Sequence, residues 1–148
     1  MTGLHIRKFL LSPTILCVAV LFSLTICAPQ LSQAQLVPPA PAAASVHITE
    51  GPAIESDKDG LAIIRWTSNN PGGSAEHFGV VHYGTDAAQL NQTAKNHIQL
   101  NQSHPETVFR VRVDGLKPRT TYYYTVGSMG GTGKVDPVNS AVYHFTTP

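Results

Sequence analysis

Short runs of alternating apolar and polar residues most constrain what this chain can fold into. In residues 107–113 (TVFRVRV), Phe109, Val111 and Val113 alternate with two arginines, as in a strand with one buried and one solvated face. Similar runs recur from residue 46 onward, and each is bounded by Gly, Pro, Asn or Asp. No stretch repeats apolar residues at helical spacing over three turns. The pattern predicts about seven strands in residues 46–148, in an all-β sandwich.

The same alternation assigns the residues of the core. In residues 60–67, Ala62, Ile64 and Trp66 share one face and Arg65 lies on the other, so Trp66 is the expected core anchor. The predicted structural core includes Trp66, Tyr83, Leu116, Pro118, Tyr122, Tyr124, Val126 and Phe145.

Two segments are expected to form edge strands of the sandwich, and a third is expected to close it. Pro52 interrupts the first strand and has no amide hydrogen to donate, which is typical of an edge position. Residues 95–100 are predicted to form a short edge strand. In the last strand, Ala141, Tyr143 and Phe145 are predicted to point inward.

The first 34 residues have the composition of a signal peptide. Arg7 and Lys8 precede a long apolar run, and Ser32 and Ala34 are small residues suited to a cleavage site before Gln35. We therefore expect a secreted protein, either extracellular or periplasmic. The alternative is an uncleaved leader, which would tether the chain to a membrane. Residues 35–45 (QLVPPAPAAAS) are predicted to form a Pro/Ala-rich linker.

Charge and cysteine content limit the function classes. The chain has ten Lys and Arg residues and nine Asp and Glu residues. Without an excess of basic residues, nucleic-acid binding is not expected. Both cysteines, Cys17 and Cys27, lie in the leader. The mature chain would therefore have no disulfide, no cysteine-based metal site and no cysteine nucleophile.

The remaining candidates for chemistry are histidines and serines. Six histidines lie outside the leader, none at the H-x-H or H-x-x-x-H spacing of a metal site, and they are predicted to be exposed to solvent. No serine lies in a nucleophile elbow. The sequence therefore predicts no catalytic residue, no metal ligand and no cofactor.

Two polar loops are candidate ligand surfaces. Residues 68–75 (SNNPGGSA) and 127–137 are expected at the same pole of the sandwich, where such loops either bind ligands or simply connect strands. The candidate binding residues are Asn69, Asn70, Gly72, Gly130, Thr132 and Lys134.

Residues 116–126 (LKPRTTYYYTV) carry the signature of a tyrosine corner, in which the hydroxyl of Tyr122 would satisfy upstream backbone. Together with Trp66, this segment resembles fibronectin type III domains. Residues 51–52 (GP), 64–67 (IRWT), 81–84 (VHYG) and 145–148 (FTTP) also resemble the N-terminal domain of purple acid phosphatases. The resemblance implies a fibronectin type III or immunoglobulin-like sandwich over residues 46–148. Arg119 stands where glycine is usual in the corner turn.

The resemblance implies no catalytic activity for these residues. In those enzymes the two metal ions and their ligands belong to a separate metallophosphatase domain, and its signatures do not occur in residues 35–148. We therefore predict a non-catalytic binding or spacer module that contacts a protein or a glycan. The alternative is an accessory domain of a purple acid phosphatase system, docking on a separately encoded metallophosphatase.

Overall fold

Two antiparallel sheets make up the part of the chain that the structure describes, residues 38, 40–138 and 140–148 of a computed structural model. Within these residues there are seven strands and no helix, and therefore no helix that could cross a membrane. The strands are β1 (Ile48–Lys58), β2 (Leu61–Asn69), β3 (Glu76–Gly84), β4 (Gln92–Gln99), β5 (Glu106–Val113), β6 (Thr121–Gly130) and β7 (Tyr143–Thr146). The predicted all-β sandwich is confirmed. The predicted signal peptide lies outside the described residues.

The sheets are ordered β1-β2-β5 and β4-β3-β6-β7. Pro52 lies in β1, which is an edge strand as expected. The predicted edge strand at residues 95–100 is also present as β4, which begins earlier, at Gln92, and within the described residues pairs with β3 alone.

The core lies between the two sheets and is built from the inward faces that alternation predicts. Trp66 of β2 stacks on Phe109 of β5, with ring centroids 5.1 Å apart and planes inclined by 15°. Stacking of this kind stabilises a core beyond the area that the rings bury. The predicted core residues that are buried are Trp66, Leu116, Tyr122, Tyr124, Val126 and Phe145.

Three residues expected in the core differ from that expectation. Tyr83 is only half-buried, packed against the edge of the core. Pro118 is exposed, because it lies in the turn before β6 and shapes the backbone there rather than filling space. Ala141 is also exposed, because β7 begins only at Tyr143.

The turn before β6 is the tyrosine corner that the sequence predicts. The hydroxyl of Tyr122 accepts a hydrogen bond from the backbone N–H of Lys117 over 3.0 Å. Thr147 closes the same turn, because its hydroxyl donates to the Lys117 carbonyl over 2.6 Å. Arg119 adopts a left-handed backbone with φ of 49°, a conformation that glycine adopts without steric cost. The glycine that is usual in this turn therefore fits its geometry.

Part of the Pro/Ala-rich linker lies against the domain. The backbone N–H of Ala43 donates to the Pro71 carbonyl over 2.8 Å, and the N–H of Gly73 donates to the Ala40 carbonyl over 2.7 Å. Backbone pairing with the loop between β2 and β3 therefore begins at Ala40, before the predicted start of the domain at Val46.

Candidate functional site

Two grooves flank the connecting segment, which we define as residues 131–138 between β6 and β7. The outer groove lies on the face of the four-stranded sheet that points away from the core and measures about 440 Å³. The pole groove lies at the end of the sandwich and measures about 440 Å³ as well. Val135 and Asp136 of the connecting segment line both grooves.

The outer groove has an apolar floor. Val80 lines it from β3, and Val138 lies over β6, 3.8 Å from where a Cβ on Gly127 would be. Val80 is only 6% exposed although its neighbour Val81 occupies the core, because the connecting segment covers the outer face of the sheet at this point. Val138 also forms a parallel β-bridge with Val46 through the backbone, and Val46 is fully buried. Val46 and Val80 are therefore buried apolar residues that do not belong to the main core cluster.

The rim of the outer groove is polar and carries a cation. Lys95 of β4 and His82 of β3 line it, and His82 Nδ1 lies 3.0 Å from the hydroxyl of Thr93. At the other side Val135 is 72% exposed, so an apolar side chain faces solvent beside the groove. An apolar floor with a polar rim is the usual anatomy of a contact surface.

The two candidate binding loops do meet at one pole, as predicted. Gly72 from one loop and Gly130, Thr132 and Lys134 from the other line the pole groove, and residues 42–44 form its third wall. Gly130 is buried and donates its N–H to the Lys134 carbonyl over 2.8 Å. Thr132 and Lys134 are exposed at the tip of the connecting segment.

Asn69 and Asn70 have a different part in the structure. The Asn70 amide donates to the carbonyls of Asn101 and His104 over 2.9 and 2.8 Å and accepts from the N–H of Gly72 over 2.9 Å. The Asn69 amide bonds to the backbone of the segment that precedes β1. Both side chains therefore hold loops in place, and neither lines the pole groove.

His77 departs from the prediction that the histidines are exposed. Its side chain is buried because it occupies the same inward-facing register of β3 as Gly79 and Val81. The alternation of β3 could have predicted that His77 is buried. The other five histidines outside the leader are exposed: His47, His82, His97, His104 and His144.

His77 belongs to a polar cluster with the buried Ser128 and the half-buried Asp136. Its Nδ1 donates to the Ser74 carbonyl over 2.7 Å, and its Nε2 lies 3.3 Å from Asp136 Oδ2. The hydroxyl of Ser128 donates to the same Oδ2 over 2.6 Å. The carboxylate thus lies between the serine and the histidine, whereas a serine nucleophile needs the imidazole beside its own hydroxyl. This order does not form a catalytic triad.

Among the described residues, no group of three or more His, Cys, Asp or Glu side chains could hold a metal ion.

The outer face of the three-stranded sheet differs from that of the four-stranded sheet, because its charges neutralise one another. Arg110 pairs with Glu55 over 2.9 Å, and Arg65 pairs with Glu50 over 3.3 Å. Hydrogen bonds from the Arg65 and Thr67 side chains lower the pKa of Glu50. This face therefore carries ion pairs that are exposed to solvent.

Comparison with known proteins agrees with this architecture. Residues 53–147 match the family model described as purple acid phosphatase, N-terminal domain, and this match covers the second half of β1 and all the later strands. No curated protein matches the chain. The match spans more than half of the chain, and the chain therefore belongs to the family of purple acid phosphatase N-terminal domains.

Proposed function

We propose that this chain is a secreted, non-catalytic binding module that contacts a protein or a glycan through the outer groove. The observation that carries the proposal is the apolar floor of that groove, formed by Val80, Met129 and Val138 on the sheet face that points away from the core. Covering the exposed Val135 and the half-buried Met129 and Val138 removes apolar surface from water, which favours association.

The other surfaces support this choice less well. The outer face of the three-stranded sheet carries arginines already paired with carboxylates, and breaking such pairs on binding has to be offset. In the pole groove, the backbone N–H groups of Gly72, Gly73 and Gly130 are all engaged within the domain. The outer groove offers apolar surface without either cost.

The family match favours a second candidate, an accessory domain of a purple acid phosphatase system. In that case the occupant of the outer groove is a metallophosphatase domain carried on another chain. Both candidates place the contact at the same groove and differ only in the partner.

Binding is tested by titrating the purified protein against glycan arrays and against a purified metallophosphatase domain of this enzyme class. A charge at the groove rim in Val135→Asp should weaken binding at least about tenfold, a difference of about 1.4 kcal/mol. The matched control is Val108→Asp, because Val108 is also an exposed valine but lies on β5 of the other sheet. Equal weakening by both variants, or by neither, would remove the outer groove as the contact surface.

The absence of catalysis is tested with a phosphate-ester hydrolysis assay on the same protein, with added Fe and Zn or Mn, and metal analysis of the sample. We expect neither turnover nor stoichiometric metal. Turnover that follows metal content and is lost when two histidines are replaced would overturn the non-catalytic assignment.

Export is tested separately by fractionating cells that express the full chain and sequencing the N-terminus of the product. We expect a secreted product that begins at Gln35. A product that keeps residues 1–34 and sediments with membranes would favour a tethered module instead.

A further inference from the structure

The hydrogen bonds around His77 fix where its ring protons must be. His77 is 1% exposed, and its Nδ1 lies 2.7 Å from the backbone carbonyl oxygen of Ser74. A carbonyl oxygen only accepts hydrogen bonds, so Nδ1 must carry a hydrogen. A neutral ring with its hydrogen on Nδ1 has only a lone pair at Nε2.

The surroundings of Nε2 do not suit a lone pair. Asp136 Oδ2 lies 3.3 Å away, within ion-pair distance, yet Nε2 has no well-formed hydrogen bond within the described residues. In a neutral ring, the lone pair of the buried Nε2 would face a carboxylate oxygen of the half-buried Asp136, and the two acceptors would repel each other. A second ring hydrogen turns the same contact into an attraction between an imidazolium and a carboxylate. The hydroxyl of Ser128 donates to the same oxygen and supports its negative charge.

We propose that His77 is doubly protonated in the folded protein and that its ion pair with Asp136 latches the connecting segment onto the four-stranded sheet. Asp136 lies between Val135 and Val138, and these residues line the outer groove on one side of the latch. Asp136 also lines the pole groove, next to His77 itself. Loss of the ring proton would therefore loosen a wall that the two grooves share.

The other charged groups near His77 do not replace Asp136. Glu76, its neighbour in β3, faces His97 of β4, with 3.4 Å between Oε1 and Nε2. Lys134 of the connecting segment lines the pole groove and is exposed. Within the described residues, Asp136 is the carboxylate at ion-pair distance from His77.

The direction of the pH effect follows from the chemistry. The latch holds while His77 carries both ring hydrogens and releases when rising pH removes one of them. The latch does not depend on whether the outer groove binds a partner, because it involves only contacts within the domain. Release of the latch would change the shape of both grooves, because Asp136 lines each of them.

The protonation state is tested directly by long-range ¹H–¹⁵N NMR spectra of the imidazole rings at about pH 6. We expect both ring nitrogens of His77 to have imidazolium shifts and its Nε2 hydrogen to exchange slowly with solvent. His82 is the internal control, because it lies on the same strand but is exposed. Spectra in which His77 is neutral, with a hydrogen on Nδ1 alone, would overturn the proposal.

The latch itself is tested by amide exchange of Val135, Asp136 and Val138, expressed as protection factors at about pH 6 and about pH 8. Protection in the native sequence should fall on the order of tenfold across this range. In Asp136→Asn, protection should be low at both pH values and nearly independent of pH. Glu76→Gln, which changes the neighbouring carboxylate, should behave like the native protein. An unchanged pH response in Asp136→Asn would overturn the latch.

Discussion

Trp66 lies directly over Gly79, so that a Cβ on this glycine would be only 3.2 Å from Cη2 of the indole. The same atom would lie 2.9 Å from Val111 Cγ2 and 3.0 Å from Phe109 Cδ1. Glycine in the middle of a strand weakens it, and often marks close approach of other groups. Here the missing side chain of β3 makes room for the stacked rings that β2 and β5 contribute.

Gly79→Ala should therefore destabilise the domain by overpacking. The three contacting groups lie in the core and cannot all move away, so we expect a loss of about 1 to 3 kcal/mol in the free energy of unfolding. Denaturant melts would measure it. Gly127→Ala on β6 is the control, because its Cβ would be at an ordinary 3.8 Å from Val138. If both variants are equally stable, the close packing over Gly79 is not present.

Trp66→Ala tests the opposite change, a cavity at the same place. Trp66 is fully buried and stacks on Phe109, so truncation should lower the free energy of unfolding by about 3 to 5 kcal/mol. Val108→Ala, at an exposed site on β5, should change it by less than about 0.5 kcal/mol. A loss below about 1 kcal/mol for Trp66→Ala would contradict the burial of the indole.

Tyr122→Phe isolates the hydrogen bond of the tyrosine corner. The ring stays in the core, but the backbone N–H of Lys117 loses its acceptor at 3.0 Å. We expect a loss of about 1 kcal/mol or more in equilibrium unfolding. Tyr123→Phe is the matched control, since Tyr123 is the next residue of β6 and points to the opposite face. Identical stabilities would mean that the hydroxyl of Tyr122 does not stabilise the corner.

Asn70→Ala tests whether the loop between β2 and β3 is held by its amide. Three hydrogen bonds would be lost, to Asn101, His104 and Gly72. Because the site is partly solvated, we expect a loss of about 1 to 2 kcal/mol and faster amide exchange at Gly72. Thr132→Ala, an exposed residue of the other candidate loop, should leave both values unchanged. Native protection at Gly72 in Asn70→Ala would show that the loop does not depend on this amide.

Most of the fold follows from local alternation, because each strand has one buried and one solvated face. Phe109, Val111 and Val113 lie in the core where the period of two places them. The tyrosine corner was predictable for a related reason: its hydrogen bond joins Lys117 and Tyr122, which are close in sequence.

The candidate site was harder to predict because it depends on contacts between distant segments. The burial of Val80 results from coverage by the connecting segment, and no local period encodes that coverage. Pro118 is exposed, contrary to the prediction that it lies in the core. The corner motif predicts a turn at this position, and a turn does not require burial. The inward position of His77 could be predicted from the alternation of β3. The contact of His77 with Asp136 could not be predicted, because Asp136 lies on a segment without alternation.

Tyr124 gives a prediction at alkaline pH. Burial, and secondarily the charge of Tyr143, raises the pKa of Tyr124 to about 12. The unfolded chain releases the same proton near about pH 10. Between these values the folded state binds more protons than the unfolded state, so the free energy of unfolding should fall as pH rises from about 10 to about 12. Burial also raises the pKa of Tyr83, which acts in the same direction.

Denaturant melts at about pH 9 and about pH 11 would measure this slope. Tyr124→Phe removes the ionisable group while keeping the ring, so its stability should fall less across this range than that of the native protein. Val108→Ala, at an exposed site on β5 of the other sheet, keeps every tyrosine and should keep the native slope. If Tyr124→Phe and the native protein lose the same stability, the Tyr124 hydroxyl ionises as easily in the folded state as in the unfolded chain.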